Sequence, residues 1–220
     1  MRRNPIKFFF AKEGLPFVLI SWAALFFAMV LEWTYLYIPL FFCALLISWF
    51  FRDPERDFKG DPNYILAPAD GKIVEVEVLK DPLDSEGRPM HRISIFMSIF
   101  DVHVNRAPFS GTVEEVRYLE GRFFSANLEK SSLENERNWV IIRTHTGERI
   151  YLTQIAGIIA RRISCWVKRG ELVKRGQRIG LIRFGSRVDI YLPQKVKLLA
   201  GKGKRTKAGK SILAYWDEEG

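Results

Sequence analysis

Between Glu13 and Arg52 one formally charged side chain, Glu32, divides an otherwise uncharged stretch into two apolar runs, Leu15 to Leu31 and Trp33 to Phe51, of 17 and 19 residues. At 1.5 Å per residue each run reaches about 26 to 28 Å as a helix, close to a hydrocarbon core of ~30 Å, whereas one helix through both would overshoot it. The spacing therefore predicts an N-terminal α-helical membrane hairpin turning at Glu32. Trp22, Trp33, Tyr35, Tyr37 and Trp49 include rings near the run ends, where the headgroup zone favours them, and Pro16 and Pro39 are tolerable in such helices. Arg2, Arg3, Lys7 and Lys12 precede the hairpin, Arg52, Arg56 and Lys59 follow it, and the connection has no Lys or Arg. That bias puts both flanks in the cytoplasm. No small-residue cleavage site follows the first run, which argues against a secretory signal; the shortness of both runs leaves a monotopic hairpin open. The expected organisation is a basic cytosolic N-terminus (1–14), a two-helix hairpin (15–51) and a β-rich domain (52–220) on the cytoplasmic side of the cell membrane.

With 220 residues, 48% hydrophobic and 27% charged, the chain is excluded from the disordered and fibrous classes. Two cysteines, Cys43 and Cys165, cannot build a disulfide framework, and with only three histidines (His91, His103, His145) no metal site is expected. The net charge of +9 is spread along the chain without a nucleic-acid motif, so attraction to an anionic leaflet explains it better than nucleic acid.

After the hairpin, alternating or β-branched runs at 72–80, 92–100, 112–119, 139–144, 149–155, 179–184 and 188–192 are separated by turn signals. They predict a mainly β, barrel- or sandwich-like domain. Ser125 to Arg137 is the one segment with room for a short helix, and Lys202 to Lys210 reads as a basic turn leading into a last strand from Ser211 to Trp216. Gly170 to Gln177 (GELVKRGQ) resembles the hairpins of lipoyl and biotinyl folds, which is fold information only.

Three segments carry chemistry-bearing residues: APADGK (67–72), FDVHVNRAP (100–108) and IRFGSRVD (182–189). An Asp-Gly pair, a strand histidine or a Gly-Ser pair is individually ordinary. Together they supply a hydroxyl, an imidazole and carboxylates, the groups needed to activate a serine oxygen. Asp101 is two residues before His103 on what reads as the same strand face, so it rivals Asp70 for orienting the ring.

These segments, with FFRDP (50–54), ENERN (134–138), QIAG (154–157), ARRI (160–163) and the continuation to IYLP (190–193), resemble the phosphatidylserine decarboxylases, in particular their short membrane-hairpin, pyruvoyl-dependent form. The resemblance runs through almost the whole chain. It implies self-cleavage at Gly185-Ser186 into a β chain (1–185) and an α chain (186–220). A pyruvoyl group derived from Ser186 would then form a Schiff base with phosphatidylserine or a related serine phospholipid and release CO2. Neither a metal nor an external cofactor is implied. His103 is the implied base, Asp70 its orienter and Ser186 the nucleophile. Longer bacterial members carry two histidines where this chain has His103 and, counted back from Pro108, Arg106; either His103 serves both stages or Arg106 and water share one. Arg106, Phe123, Phe124 and Arg137 are candidate substrate contacts, with Arg122, Lys130 and Phe184 as weaker ones. A homo-oligomer is left open, and archaetidylserine is the alternative lipid. Two rivals predict an uncut chain: a membrane-anchored lipoyl-like adaptor without activity, and a lipid hydrolase using Asp70, His103 and Ser186, which lacks the G-x-S-x-G elbow.

Overall fold

The computed structural model describes residues 9–83, 87–121, 135–157, 162–183 and 185–216. The chain divides into two compact units, Met1–Glu55 and Arg56–Gly220.

In the first unit, a 3-10 turn leads into α1 (Leu15–Val30), and α2 (Thr34–Phe50) returns after a turn at Glu32, whose φ is +57°. Both helices lack charge, so their outward rings and aliphatic chains, such as Leu19, Ile20, Phe26, Tyr35 and Ile38, are exposed. Small residues line the contact: Ala28 and Ala44 are buried, and Trp22 Nε1 donates to Ser48 Oγ at 3.0 Å. Phe10 bridges to Arg52 and closes the base of the hairpin. Counted with its 3-10 turn, Lys12–Val30 is 19 residues, long and apolar enough to cross a membrane; Thr34–Phe50 is shorter. This suggests membrane association.

The second unit is mainly β, as the alternation predicts. Its strands are β1 (Tyr64–Leu66), β2 (Gly71–Lys80), β3 (Pro89–Met97), β4 (Val104–Arg106), β5 (Gly111–Leu119), β6 (Arg137–Arg143), β7 (Arg149–Ile155), β8 (Ile163–Cys165), β9 (Leu172–Val173), β10 (Arg178–Ile182), β11 (Ser186–Pro193), β12 (Val196–Leu198), β13 (Arg205–Thr206) and β14 (Ile212–Trp216). Eight form one curled sheet in the order β13-β2-β3-β11-β7-β6-β5-β9, and β1-β14-β12 and β4-β10-β8 form two smaller sheets.

Strand alternation decides which side chains meet. On β11, Val188, Ile190 and Leu192 join Ile93 and Ile95 of β3, Ile150 and Leu152 of β7, and Val140 and Ile142 of β6 in one apolar core. Truncating Ile95 or Ile190 to Ala would cost about 2–5 kcal/mol. The other face of the sheet is buried as well, and carries charges and rings: Arg187, Asp189 and Tyr191 beside Arg92, Ser94, Tyr151 and Trp139.

Two local expectations change. Residues 98–100 are apolar enough to read as strand, yet β3 ends at Met97 because the Asp101 carboxylate accepts from Ser98 N–H (2.9 Å) and Ser98 Oγ (2.7 Å), closing a turn. Asp101 and His103 therefore precede β4 in a loop and share no strand face. Most of the segment with room for a helix lies outside the described residues; Arg137 at its end begins β6.

Candidate active site

The three motif segments lie zipped together. Arg106 N–H donates to Pro68 O (2.9 Å), Ala107 N–H to Gln177 O (2.8 Å) and Gly176 N–H to Ala107 O (2.8 Å), so FDVHVNRAP runs between APADG and the lipoyl-like turn. β4 pairs with β10 with Val104 opposite Leu181, and the Ile182 N–H points to His103 O at 3.4 Å. The chain leaving β10 thus passes His103 just before it reaches Gly185 and Ser186.

Gly185 sits at φ +57°, a left-handed conformation that glycine adopts without the penalty a β-carbon imposes. Ser186 opens β11 opposite Met97, and its side chain is fully buried on the core face. Its Oγ donates to Met97 Sδ at 3.5 Å. Asn105 Nδ2 reaches the same sulfur at 3.7 Å, Gln154 Nε2 donates to Asn105 Oδ1 at 2.8 Å, and Asn138 Nδ2 donates to Gln154 Oε1 at 3.0 Å. A buried chain of neutral groups, drawn from β6, β7, β4 and β3, ends at the serine. Gly180 makes room for it, since a β-carbon there would stand 2.8 Å from Gln154 Nε2 and 2.4 Å from Ser164 O.

His103 is fully buried, and its Nδ1 lies 2.9 Å from Asp101 O. A carbonyl only accepts, so Nδ1 carries the hydrogen and, in the neutral ring, Nε2 keeps the lone pair that a base needs. Neither carboxylate orients the ring here. Asp70 is gripped by Arg56, whose Nη1 and Nη2 donate to its two oxygens (Nη2 to Oδ2, 2.8 Å), while Ala208 N–H donates to Oδ1 at 2.7 Å. Asp101 Oδ1 accepts from Arg205 and Oδ2 from Ser98. Ser186 Oγ is likewise on Met97, not on His103.

Among the other sequence candidates, Arg106 is buried with Nη1 donating to Gly176 O at 2.9 Å. Arg137 starts β6 in register with Ile155 and, through it, Arg187, on the sheet face away from Ser186. Phe123, Phe124, Arg122, Lys130 and Phe184 lie outside the described residues. A cleft of about 580 Å³ opens at the far end of the strands, between Asp81, Arg88, Arg143, Arg149 and Lys195, and contains no residue of the 67–72, 100–108 or 182–189 segments.

A family model described as phosphatidylserine decarboxylase matches residues 43–214, which take in all three motifs and the buried chain. The chain belongs to the phosphatidylserine decarboxylase family. Among similar proteins, the phosphatidylserine decarboxylase proenzyme of Syntrophus aciditrophicus is 44% identical over 211 residues, covering 93% of this chain and 96% of that protein. The proenzymes of the same name from Cupriavidus pinatubonensis (44% over 209 residues; 94% and 95% covered) and Ralstonia pickettii (48% over 179; 81% and 82%) are comparably similar. Within the decarboxylase family, then, this chain has Ser186 at the start of β11 with the neutral chain behind it, and His103 in the loop that leads into β4. Asn105, Gln154 and Asn138 escaped the sequence reading as functional residues. Asn105 and Asn138 stand inside motif segments, and Gln154 opens one, but their meeting depends on the pairing of β4, β6 and β7.

Proposed function

We propose that this chain is a phosphatidylserine decarboxylase proenzyme that cuts itself between Gly185 and Ser186 and then converts phosphatidylserine to phosphatidylethanolamine. The observation that carries the reading is the position of the Gly-Ser bond, at the boundary between a left-handed glycine and the first residue of β11, with the serine buried on the end of a neutral polar chain.

In the first stage His103 Nε2 takes the Ser186 Oγ proton as the oxygen attacks the Gly185 carbonyl carbon. The C–N bond breaks, the nitrogen gains a proton, and an ester replaces the amide. Loss of the Ser186 α-proton expels the Gly185 carboxylate from Cβ and leaves dehydroalanine; tautomerisation and uptake of one water release ammonia and leave a pyruvoyl end. Attack requires Ser186 Oγ to leave Met97 Sδ for His103 Nε2. The Asp101 carbonyl fixes the imidazole tautomer. Asp70 can act as orienter only by leaving Arg56, so its role in the resting chain is to tie the 67–71 segment to Ala208.

The surroundings suit a pyruvoyl at residue 186. β11 runs between β3 and β7, β13 pairs with β2, and β14 pairs with β1 and β12, so the 186–220 chain stays woven into the unit after the cut. The new end is anchored by strand pairing, and the core around Met97 and Val188 keeps water from it. When present, that group supplies an electron sink for the pair released as CO2 leaves the serine headgroup. His103 then returns a proton to the headgroup carbon. Arg106, held on Gly176, keeps the loop next to His103 in place. The hairpin anchors the chain in the cell membrane, and its Lys and Arg flanks favour a cytoplasmic position for residues 56–220.

Ser186→Ala should give one uncut chain that releases no CO2 from phosphatidylserine, while wild type yields two chains and an ethanolamine lipid. Normal cutting in that variant would overturn the reading. Supplying archaetidylserine to the same preparation decides between the two lipid backbones.

A further inference from the structure

Residue 186 has to occupy one place in two chemical states. In the uncut chain it presents a hydroxyl. After the proposed cut, Oγ departs with the Gly185 carboxylate, and Cβ, having gained a proton, is the methyl group of the pyruvoyl end. The side chain is fully buried, so whatever faces it must suit first a hydrogen-bond donor and then an apolar group, without water to make up the difference.

Met97 is what faces it. It ends β3 opposite Ser186 and is itself fully buried, and among the described residues its Sδ is the one hydrogen-bond partner of Ser186 Oγ, at 3.5 Å. The same sulfur receives Asn105 Nδ2 at 3.7 Å, so two donors share one weak acceptor. The backbone of Met97 is held on both sides, by pairing with β11 and by the turn that Ser98 and Asp101 close from the next residue. Its unbranched side chain can still adjust. A carbonyl or carboxylate at this point would hold the hydroxyl by a full hydrogen bond, which attack on Gly185 must break, and would afterwards stand unsatisfied against a methyl group. A purely aliphatic side chain would suit the methyl group and leave the hydroxyl a buried donor without an acceptor. A thioether serves both, as a weak acceptor and as apolar surface.

We infer that Met97 is a positioning residue for both states of residue 186. Its sulfur parks the Ser186 hydroxyl away from His103 in the precursor and so slows the cut, and its apolar surface seats the methyl group of the pyruvoyl end afterwards. This role rests on the proposed self-cleavage and adds to it the side chain that sets its rate.

The test follows the full chain, made by cell-free translation with phosphatidylcholine vesicles, as wild type, Met97→Leu and Met97→Gln. Cutting is timed by electrophoresis, and CO2 release from phosphatidylserine is measured on the chains once cut. Leu conserves the volume and removes the acceptor, whereas Gln conserves the length and supplies a full acceptor. The expected order of cutting rates is Met97→Leu above wild type above Met97→Gln, each step about two- to tenfold, the weight of one hydrogen bond. On cut chains Met97→Leu should match wild type in kcat and KM, and Met97→Gln should lower kcat with KM unchanged. Both variants lose some stability in denaturant titration, so a merely structural role slows cutting in both. A Met97→Leu chain that cuts no faster than wild type, or that cuts fast and then decarboxylates poorly, would overturn the inference, and so would a folded Met97→Gln chain that cuts at the wild-type rate. Should Met97→Gln fail to fold, Met97→Leu decides alone. A wild-type chain that stays whole in the same reaction overturns the self-cleavage itself, which separates that failure from the failure of Met97 as its rate-setting seat.

Discussion

Ser186 and Arg187 are neighbours in sequence and face opposite sides of one sheet. On the Ser186 side the hydrogen-bonded groups described are neutral: Asn138 donates to Gln154, Gln154 to Asn105, and Asn105 and the Ser186 hydroxyl both to Met97 Sδ. On the Arg187 side they are ionic. Arg187 donates to Asp189 (2.6 Å), Ser94 (2.6 Å) and Glu75 (2.7 Å), and Arg92 donates to Glu75 and Glu77. The difference teaches that this ion cluster is scaffold and the quiet face is the candidate reaction site. A fixed charge next to Ser186 would bias proton positions throughout a two-stage reaction, whereas amides and a thioether hold geometry without competing for the proton. A one-residue slip of β11 would exchange the faces, so the ion cluster also locks the register that presents Ser186.

The comparison breaks most sharply at the two partners of the self-cleavage. Ser186→Ala should abolish cutting and decarboxylation while leaving the fold intact, and His103→Ala should slow cutting by at least about 10²-fold, both followed by electrophoresis over time. On the ionic face, Asp189→Ala removes one of the two carboxylates on the buried Arg187, leaving Glu75, and should lower stability by about 1–3 kcal/mol in denaturant titration. Its cutting rate should change only as far as unfolding reduces the folded fraction. If Asp189→Ala instead behaved like His103→Ala, with stability unchanged, the assignment of faces would be wrong.

Within the neutral chain, Gln154→Ala leaves buried amides on Asn105 and Asn138 without their partner, at a cost of about 1–3 kcal/mol, and should slow cutting beyond what its stability explains. Asp70→Asn against Asp101→Asn sharpens the site further. If the Asp101 carbonyl orients His103, both variants keep the tautomer and lose mainly ion pairs, so the pH profile of cutting should hold its shape; a shifted profile in Asp70→Asn alone would restore that carboxylate as orienter.

The smallest effect belongs to the ionic face. Burial, with Asp189 nearby, pushes the Tyr191 phenol up from 10.0 to about 12. Because the folded form holds its proton more tightly than the unfolded one, this contribution is fully present below pH 10 and declines as pH rises from 10 through about 12. Tyr191→Phe should flatten that alkaline limb of the stability curve.

Much of the architecture is legible in the amino-acid sequence. The charge gap around Glu32 marks the hairpin, since the helices on either side of it carry no formal charge, and period-two alternation marks β2 and β11, where aliphatic residues alternate with charged or ring-bearing ones. The Gly-Ser bond was legible through the family resemblance. The hydrogen-bonded chain behind it was not, because Met97, Asn105, Gln154 and Asn138 come from four strands whose adjacency follows from the strand order. Residues 98–100 misled for a related reason: their hydrophobicity suits a strand, but Asp101 ends the ladder by bonding back to Ser98. Arg56 gave no signal as the partner of Asp70, since nothing in the spacing of two residues after an apolar hairpin foretells their pairing.

The most direct measurement is the intact mass of freshly purified wild-type protein, taken on the same sample that is assayed for CO2 release. The account predicts a 1–185 chain together with a 186–220 chain lighter by one ammonia than the same chain beginning with serine. A single uncut species of 25.6 kDa decarboxylating phosphatidylserine at full rate would contradict it.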